Sequence, residues 1–238
     1  MSDQPFQFKQ FTIQQDRCAM KVGTDAVILG AWASLEHNPE SVLDIGAGTG
    51  VLSLMLAQRS HAHLIDAIEI DDKAYEQCTE NFENSIWNDR LFCYHADLQE
   101  FTEEIDDTYD LIICNPPFYS ENYKTESTSR DLARFNDAMP FDHLIYSASI
   151  LLSSDGRFNV VIPYKEEAQF IKMAAQAHLF PRKILNVKGH PEADVKRSFI
   201  EFSREKTAPH SATLVIETDR HNFTEAYINL TKDFYLKM

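Results

Sequence analysis

The chain has 238 residues, of which 44% are hydrophobic, and its formal net charge at pH 7 is −15. A chain of this length and apolar content is ordinary for a single α/β domain with a large core. The acidic balance argues against a protein that coats nucleic acid with general positive charge, so any polyanionic partner needs a local basic patch.

Apolar runs bounded by turn residues predict the strands, and helical patterns lie between them. Strands are predicted at 41–46, 63–70, 91–97, 109–115 and 157–163, and helices at 51–58, 72–82, 141–152 and 166–178. Strands that alternate with helices indicate a mostly parallel sheet with helices on both faces. Two later runs, 184–190 and 196–204, suit an antiparallel strand pair that closes the sheet.

A glycine-rich segment, DIGAGTG, runs from Asp44 to Gly50 between the first predicted strand and the following helix. Gly46, Gly48 and Gly50 alternate in it, which lets the backbone approach a nucleotide-like ligand. The G-x-G-x-G spacing departs from the dinucleotide-binding fingerprint. The alternative is a tight strand-to-helix turn, which does not require three glycines.

Acidic residues end the next two predicted strands. Glu69 ends the second, where a carboxylate can accept hydrogen bonds from both ribose hydroxyls, and Ile70 beside it can pack on an adenine face. Asp97 ends the third and can accept a hydrogen bond from an adenine amino group, although a helix cap is an alternative role for it. We expect Asp71 and Asp72 to cap the next helix. The ligand expected at this edge is therefore an adenosine with a small charged tail.

The fourth predicted strand ends in Asn115, Pro116, Pro117 and Phe118. Neither proline can donate to a sheet ladder, so the chain leaves the sheet in a stiff turn. An amide and an aromatic ring are thereby held at the edge where open α/β sheets bind ligands. The polar stretch that follows, 120–137, is either a solvated loop or a loop that covers a substrate.

The cysteines give no sign of a metal or of disulfide bonds. They are spread along the chain without C-x-x-C spacing, as Cys18, Cys78, Cys93 and Cys114. This distribution indicates reduced thiols, and we expect no metal. No stretch approaches the roughly 20 apolar residues that span a bilayer, and the N-terminus lacks the apolar core of a signal peptide. We therefore expect a cytoplasmic protein without a membrane partner.

These motifs resemble class I S-adenosylmethionine-dependent methyltransferases with an NPP-aromatic motif, which methylate planar amino groups. Within them, CAMKVGTDAVILGAW (18–32) and the late KRSFIEFS (196–203) are similar to the bacterial tRNA(Val) adenine-N6 methyltransferase family, which modifies the adenine beside the anticodon. The resemblance implies a Rossmann-like fold with a mostly parallel seven-stranded sheet, S-adenosylmethionine as cofactor and tRNA as partner. We also expect a monomer.

The resemblance implies a single domain, 1–238, in which 1–40 covers the cofactor, 41–206 is the catalytic core, and 207–238 adds a strand and a helix. The methionine part of the cofactor is expected beside Asp44, Gly46, Gly48 and Gly50, under a cover formed by Lys21, Gly23, Thr24 and Asp25. The ribose is expected on Glu69 and the adenine on Asp97, with Ile70, Leu98 and Asn115 also in the pocket.

The target chemistry explains the proline-rich turn. The exocyclic amino group of adenine is a poor nucleophile because its lone pair is delocalised into the ring. Acceptors around its N–H groups favour the tetrahedral nitrogen of the transition state, and we expect them to be the Asn115 side-chain carbonyl and the Pro116 carbonyl. Pro117 stiffens the turn, and Phe118 is expected to stack on the flipped base.

Basic residues late in the chain predict a phosphate-binding patch at the substrate edge. Between Phe180 and Lys206 they are Arg182, Lys183, Lys188, Lys196, Arg197, Arg204 and Lys206, and the loop after the prolines adds Lys124, Arg130 and Arg134. The RNA contacts that we expect are Phe118, Tyr119, Lys124, Arg130, Arg134, Lys196 and Arg197. The alternative is scattered solubilising charge.

Other activities fit the motifs less well. A protein glutamine-amide methyltransferase would present the same planar NH₂ group, but that family usually has Tyr at Phe118 and a helical N-terminal domain, for which the segment before Asp44 is too short. An rRNA or DNA adenine-N6 methyltransferase is a further alternative. A dehydrogenase is disfavoured by the glycine spacing. An inactive RNA-binding module is disfavoured by the intact Asn115 and Phe118.

Overall fold

The computed structural model describes residues 4–117 and 139–238. Its strands are β1 (Phe6–Gln7), β2 (Thr12–Ile13), β3 (Ser41–Ile45), β4 (Leu64–Glu69), β5 (Leu91–His95), β6 (Tyr109–Cys114), β7 (Leu152–Pro163), β8 (Phe180–Lys188), β9 (Arg197–Ser203), β10 (His210–Val215), β11 (Glu217–Asp219) and β12 (Asn222–Phe223). Its helices are α1 (Thr24–Trp32), α2 (Val51–Arg59), α3 (Asp72–Glu83), α4 (Leu98–Glu104), α5 (Phe141–Leu151), α6 (Glu167–Gln176) and α7 (Glu225–Thr231), with a 3₁₀ turn at Tyr164–Glu166.

Eight strands form one sheet in the order β5-β4-β3-β6-β7-β9-β8-β10. β9 is antiparallel to both of its neighbours, β7 and β8, and the other pairs in this sheet are parallel. The predicted α/β class, with a mostly parallel sheet and a closing antiparallel pair, is confirmed. The expected count of seven strands is wrong, because β10 pairs in parallel with β8 and adds an eighth strand at the edge.

Helices cover both faces of the sheet because its central strands are apolar on both sides. Leu43 and Ile45 of β3 belong to the core on the face covered by α4, α5 and α6, whereas Val42 belongs to the core beneath α1, α2 and α3. All three side chains are fully buried. None of the helices in the described ranges is long and apolar enough to cross a membrane.

β7 begins earlier than the sequence indicated. The predicted strand covered 157–163, but the observed strand starts at Leu152, immediately after α5. Leu152 lies opposite Tyr109, and Arg157 lies opposite Leu111, so the ladder with β6 is irregular between these two pairs. The first residues of β7 are in strand conformation because they pair with β6. The polar and turn-forming residues Asp155 and Gly156 give no local indication of a strand there.

The two ends of the described chain pack together. Phe8 forms an isolated β-bridge with Tyr235, and the Lys9 N–H donates to the Phe234 carbonyl at 2.9 Å. The rings of Phe6 and Phe8 are 4.8 Å apart at their centroids. This aromatic contact anchors the N-terminal hairpin of β1 and β2, from which the chain continues to α1.

Gly50→Ala should destabilise the fold, because Gly50 has a φ of 77° and a Cβ there would lie 2.6 Å from Phe82 Cε1 and 2.9 Å from Cys78 Sγ. Left-handed backbone costs a non-glycine residue roughly 1–2 kcal/mol and overpacking about 1–3 kcal/mol, so the free energy of unfolding should fall by at least about 2 kcal/mol. Gly189→Ala is the control, since no atom lies within 4 Å of its added Cβ. Urea unfolding curves that shift equally for both variants would contradict this packing argument.

Candidate active site

Three predicted site residues lie side by side at the carboxyl edge of the sheet. The last residue of β3 lies opposite Ile68 of β4 and Cys114 of β6. Gly46, Glu69 and Asn115 each follow that paired row directly. Because neighbouring strands are about 4.8 Å apart, one ligand can contact all three positions.

The glycine loop is built from left-handed residues, with φ of 70° at Gly46, 56° at Gly48 and 77° at Gly50. The N–H groups of Gly46 and Ala47 both donate to the Ile68 carbonyl at 3.0 Å, which fixes the loop to the end of β4. No atom lies within 4 Å of an added Cβ at Gly48. A ligand can therefore approach the loop backbone at Gly48.

The Glu69 carboxylate is held by backbone N–H groups. Its Oε2 accepts from the Gly48 N–H at 2.8 Å, and its Oε1 accepts from the N–H groups of Ile70 and Asp71, each at 2.9 Å. A carboxylate offers about four lone-pair sites, and three of them are occupied here, so about one remains for a ligand hydroxyl. Glu69 thus joins the glycine loop to the end of β4 and presents a fixed negative charge to the crevice.

Asp44 is a fully buried carboxylate directly below the loop. Its Oδ2 accepts from the Ser53 Oγ at 2.7 Å and from the Ser53 N–H at 3.2 Å. Its Oδ1 is also buried, and no described residue hydrogen-bonds to it. Burial raises the pKa of Asp44 to about 7, although the two hydrogen bonds from Ser53 oppose the shift.

The adenine end of the predicted pocket is formed by the ends of β4 and β5. Asp97 is the N-cap of α4, where its Oδ1 accepts from the Gln99 N–H at 2.8 Å and the Glu100 N–H at 3.4 Å, so its alternative role as a helix cap is confirmed. Ile70 is 59% exposed beside Glu69 and can offer its side chain to a ligand. Leu98 is buried in the core, so that only its backbone can reach a ligand.

The next helix is capped by Asp71, one of the two residues predicted for this role, and not by Asp72. Asp71 is the N-cap of α3, and its Oδ1 accepts from the N–H groups of Lys73 at 3.1 Å and Ala74 at 2.8 Å. Asp72 is the first residue of the helix.

The N-terminal segment is tied to the glycine loop by α3 side chains that sequence reasoning missed. The Asn81 Nδ2 donates to the carbonyls of Thr49 and Gln14, each at 2.9 Å, and its Oδ1 accepts from the Gln14 N–H at 2.8 Å. Gln77 accepts from the Arg17 N–H at 2.9 Å. Both amides are buried on the face of α3 that also carries Cys78 and Phe82. Amide residues at positions where the helical period places core residues were the sequence feature that could have revealed this link.

Cys18 shows how close the N-terminal segment comes to the crevice. Burial first, and the Glu69 carboxylate second, raise the pKa of the Cys18 thiol to about 12. The side chain is 4% exposed. The segment that leads into α1 therefore lies within electrostatic reach of Glu69.

The predicted cover residues lie where this segment enters α1. Gly23 is the N-cap of α1, directly before Thr24. The Lys21 Nζ donates to the Gln15 carbonyl of the same segment. The Asp25 Oδ2 accepts from the Arg197 Nε at 2.8 Å, an ion pair that joins α1 to β9. Asp25 and Arg197, predicted to bind cofactor and RNA respectively, thus contact each other.

The turn after β6 presents the predicted catalytic amide. Asn115 and Pro117 are half-buried, Pro116 is buried, and among the described residues none hydrogen-bonds to the Asn115 side chain. Its amide is therefore available to a ligand. The other predicted residues of this region lie outside the described residues: Phe118, Tyr119, Lys124, Arg130 and Arg134.

The predicted patch of seven basic residues on the strand pair is divided between opposite edges of the sheet. Because β9 is antiparallel to β7, Arg197 lies opposite Pro163 at the carboxyl edge, whereas residues after Phe202 lie beyond Phe158 toward the amino edge. Lys188 and Lys196 share the carboxyl edge with Arg197. The prediction that all seven gather at the substrate edge is wrong.

The four basic residues at the amino edge have partners within the protein. Arg182 Nε lies 3.4 Å from Glu201 Oε1, and Lys183 Nζ lies 3.8 Å from Glu36 Oε2. The Arg204 Nη2 donates to the carbonyls of Ser149 at 2.8 Å and Leu152 at 2.7 Å. Lys206 Nζ lies 5.6 Å from the centroid of the Phe180 ring. These four side chains are therefore engaged within the protein at the amino edge.

The crevice therefore combines an open glycine backbone, two carboxylates and an amide. In the described part of the chain, no group of three or more His, Cys, Asp or Glu residues could hold a metal ion. The available chemistry is hydrogen bonding and charge, which suits an adenosine-type cofactor and a planar amino group better than a phosphate-rich ligand.

Comparison with known proteins agrees with this geometry. The methyltransferase small domain family matches residues 31–178. The tRNA1(Val) (adenine(37)-N6)-methyltransferase of Flavobacterium psychrophilum is 63% identical, over 98% of this chain and 100% of that protein. Proteins of the same name from Christiangramia forsetii and Pectobacterium carotovorum are 58% and 41% identical; the first alignment covers 100% of both chains, and the second covers 98% of this chain and 94% of the relative.

Solved structures share the fold at low sequence identity. A predicted O-methyltransferase of Agrobacterium tumefaciens is 19% identical with a TM-score of 0.64, covering 87% of this chain and 95% of that one. Pyrococcus horikoshii TYW2, in complex with MeSAdo, is 16% identical with a TM-score of 0.58, covering 86% and 73%.

Asp44→Asn should remove a pH dependence of stability. Because burial raises the pKa of Asp44 to about 7, the folded protein retains a proton that the unfolded chain loses above about pH 4. The resulting stabilisation is present below about pH 4 and is lost as the pH rises to about 7. Each pKa unit corresponds to about 1.4 kcal/mol. Between about pH 4 and pH 7, the free energy of unfolding of the wild type should therefore fall by up to about 4 kcal/mol more than that of the variant.

Denaturant titrations between about pH 4 and pH 8 measure this difference. Asp66, whose pKa is also raised by burial, is unchanged in the variant and cancels in the comparison. A stability difference between wild type and Asp44→Asn that is constant across the range would contradict the role of Asp44.

Proposed function

The chain belongs to the methyltransferase small domain family and to the tRNA1(Val) (adenine(37)-N6)-methyltransferase family, and from this membership we propose that it transfers a methyl group from S-adenosylmethionine to N6 of an adenine in tRNA. The expected target is the adenine that the relatives' name gives, position 37 of tRNA1(Val). One observation carries the proposal in this chain: the amide of Asn115 lies in the same row as Gly46 and Glu69, so an acceptor for a planar amine adjoins a crevice for adenosine.

The described residues fit S-adenosylmethionine. Asp44 Oδ1 is a buried acceptor that no described residue engages, and the backbone at Gly48 faces open space. Glu69 retains an acceptor site for a ribose hydroxyl, and the exposed Ile70 can contact the adenine face. The cofactor, when bound, supplies an electrophilic methyl group on its sulfonium sulfur. The protein supplies the hydrogen bonds and charges that orient it.

Asn115 and Pro116 act on the amino group that accepts the methyl group. Their carbonyl oxygens can accept hydrogen bonds from its two N–H groups, which favours a tetrahedral nitrogen with its lone pair free to attack. Such acceptors are effective because the turn is already stiff before substrate binds, so little reorganisation is needed. The two prolines account for that stiffness.

The RNA is bound chiefly around this turn. Lys196 stands at the carboxyl edge, and Phe118 remains the residue that we expect to stack on the extruded adenine. Tyr119, Lys124, Arg130 and Arg134 remain predicted RNA contacts from the sequence. We propose a cytoplasmic monomer, and the four free cysteine thiols suit the reducing cytoplasm.

Glu69→Ala should weaken S-adenosylmethionine binding at least tenfold, which corresponds to about 1.4 kcal/mol. The substitution removes the ribose acceptor. It also leaves without an acceptor the N–H groups of Gly48, Ile70 and Asp71, which donate to Glu69 in the wild type. Calorimetric titration measures the affinity, with circular dichroism as the check on folding. Glu103→Ala, an exposed glutamate on α4, is the control. Equal affinities for both variants would remove Glu69 from the cofactor site.

Methyl transfer to unmodified tRNA tests the function itself. With labelled S-adenosylmethionine, the wild type should place the label in N6-methyladenosine at position 37 of tRNA1(Val). Asn115→Ala should lower kcat on the order of a hundredfold even at saturating S-adenosylmethionine, as loss of other preorganised acceptors or donors does. Asn88→Ala, an exposed asparagine after α3, is the matched control. Failure of the wild type to label adenine in the tRNA would overturn the proposed function.

A further inference from the structure

Tyr164 is an exposed aromatic residue at the same edge of the sheet as the catalytic turn. β7 pairs in parallel with β6, with Val160 opposite Cys114, and it ends at Pro163. Tyr164 opens the 3₁₀ turn that follows, and its N–H donates to the Lys196 carbonyl at 3.1 Å. The carboxyl edge therefore carries an aromatic residue one strand away from Asn115.

The separation of Tyr164 from the catalytic turn suits a neighbouring nucleotide. Cys114 and Val160 are paired across the two strands; Asn115 lies one residue beyond this pair, and Tyr164 lies four residues beyond it. At about 3.3 Å per residue along a strand and about 4.8 Å between strands, the two backbone positions are about 11 Å apart. Stacked bases of one strand rise about 3.4 Å per step and an unstacked strand rises further, so this distance is spanned by three nucleotide steps or fewer. A base extruded onto Asn115 therefore leaves its near neighbours within reach of Tyr164.

The Tyr164 side chain is available for stacking. It is 44% exposed, and within the described part of the chain neither its ring nor its hydroxyl group has a partner. By contrast, Phe158 and Phe170 on the same side of the sheet are fully buried among other rings. Each base has a π face, so an accessible ring can bind one without reading its identity.

The charges around Tyr164 favour one phosphate contact rather than an extended basic track. Lys196 is exposed, and no described acidic group lies within ion-pair distance of it. Lys165 lies 3.6 Å from Glu166, which offsets its charge. Glu192 and Asp194 are exposed in the loop before Lys196 and limit the positive potential of the surface. Stacking on Tyr164 is therefore the main contribution, and Lys196 adds a local charge contact.

We propose, on the basis of the proposed function, that Tyr164 is a positioning residue for the tRNA. Its ring stacks on a base within three nucleotides of the target adenine, and Lys196 contacts a phosphate of the same strand. This contact holds the anticodon loop while the target base enters the site. It acts on RNA binding and leaves the chemical step unchanged.

Kinetics on the anticodon stem-loop RNA of tRNA1(Val) test Tyr164. Tyr164→Ala should raise KM for this RNA about tenfold, equivalent to about 1.4 kcal/mol, with kcat and S-adenosylmethionine affinity unchanged. Tyr164→Phe keeps the ring and should restore the wild-type KM. Tyr146→Ala, which removes a tyrosine that is 62% exposed on α5, should have no effect. An unchanged KM in Tyr164→Ala, or a raised KM in Tyr164→Phe, overturns the inference.

An abasic scan identifies the stacked base. Single abasic sites are placed at the three positions on each side of the target adenine, and KM is measured with wild type and Tyr164→Ala. One abasic site should weaken binding to the wild type while leaving binding to Tyr164→Ala unchanged, because the two changes remove the same contact. Effects that simply add at all six positions contradict stacking by Tyr164.

The phosphate contact is tested by salt dependence. Lys196→Gln should reduce the slope of log affinity against log salt concentration by about one, whereas Lys206→Gln, at the opposite edge, should leave it unchanged. Equal slopes for both variants overturn the role of Lys196. If the wild type fails to methylate both this RNA and full-length unmodified tRNA1(Val), the proposed function fails; if the wild type is active and the Tyr164 variants behave like it, the inference alone fails.

Discussion

The parallel pairing of β3 with β4 and β6 is the constraint on which the candidate active site depends. It brings Gly46, Glu69 and Asn115 to one row, so a single ligand can contact the ends of three strands that are distant in sequence. A shift of β3 by one residue would turn Asp44 away from Ser53 and into the apolar core on the other face. The buried polar pair of Asp44 and Ser53 therefore helps to specify the register that the chemistry needs.

Polar side chains inside the core organise the crevice at a cost in stability. Asp44 is buried with one oxygen unengaged by the described residues, and its raised pKa expresses the penalty of ionising it there. Asn81 satisfies three backbone groups and joins the N-terminal segment to the glycine loop. The wall of the crevice is thus made from helix α3 as well as from strand ends.

The acidic character of the chain and a tRNA partner are compatible because the basic residues are separated by function. The antiparallel direction of β9 sends Arg204 and its neighbours to the amino edge, where they satisfy carbonyls and carboxylates of the protein. Arg197 is engaged by Asp25 at the carboxyl edge. Affinity for RNA is then expected to depend on a few well-placed cations and aromatic rings rather than on net charge.

The sequence by itself determined the class of fold, the strand ends that carry Gly46, Glu69 and Asn115, and the family, because these depend on local apolar patterns and on motifs with a specific chemistry. The tertiary structure alone decided the eighth strand, the early start of β7, the Asp25–Arg197 ion pair and the division of the basic patch. It also showed Asn81 as the link to the N-terminal segment. Each of these depends on which distant segments become neighbours and in which direction they run, and burial of the whole chain, rather than any local pattern, sets those pairings.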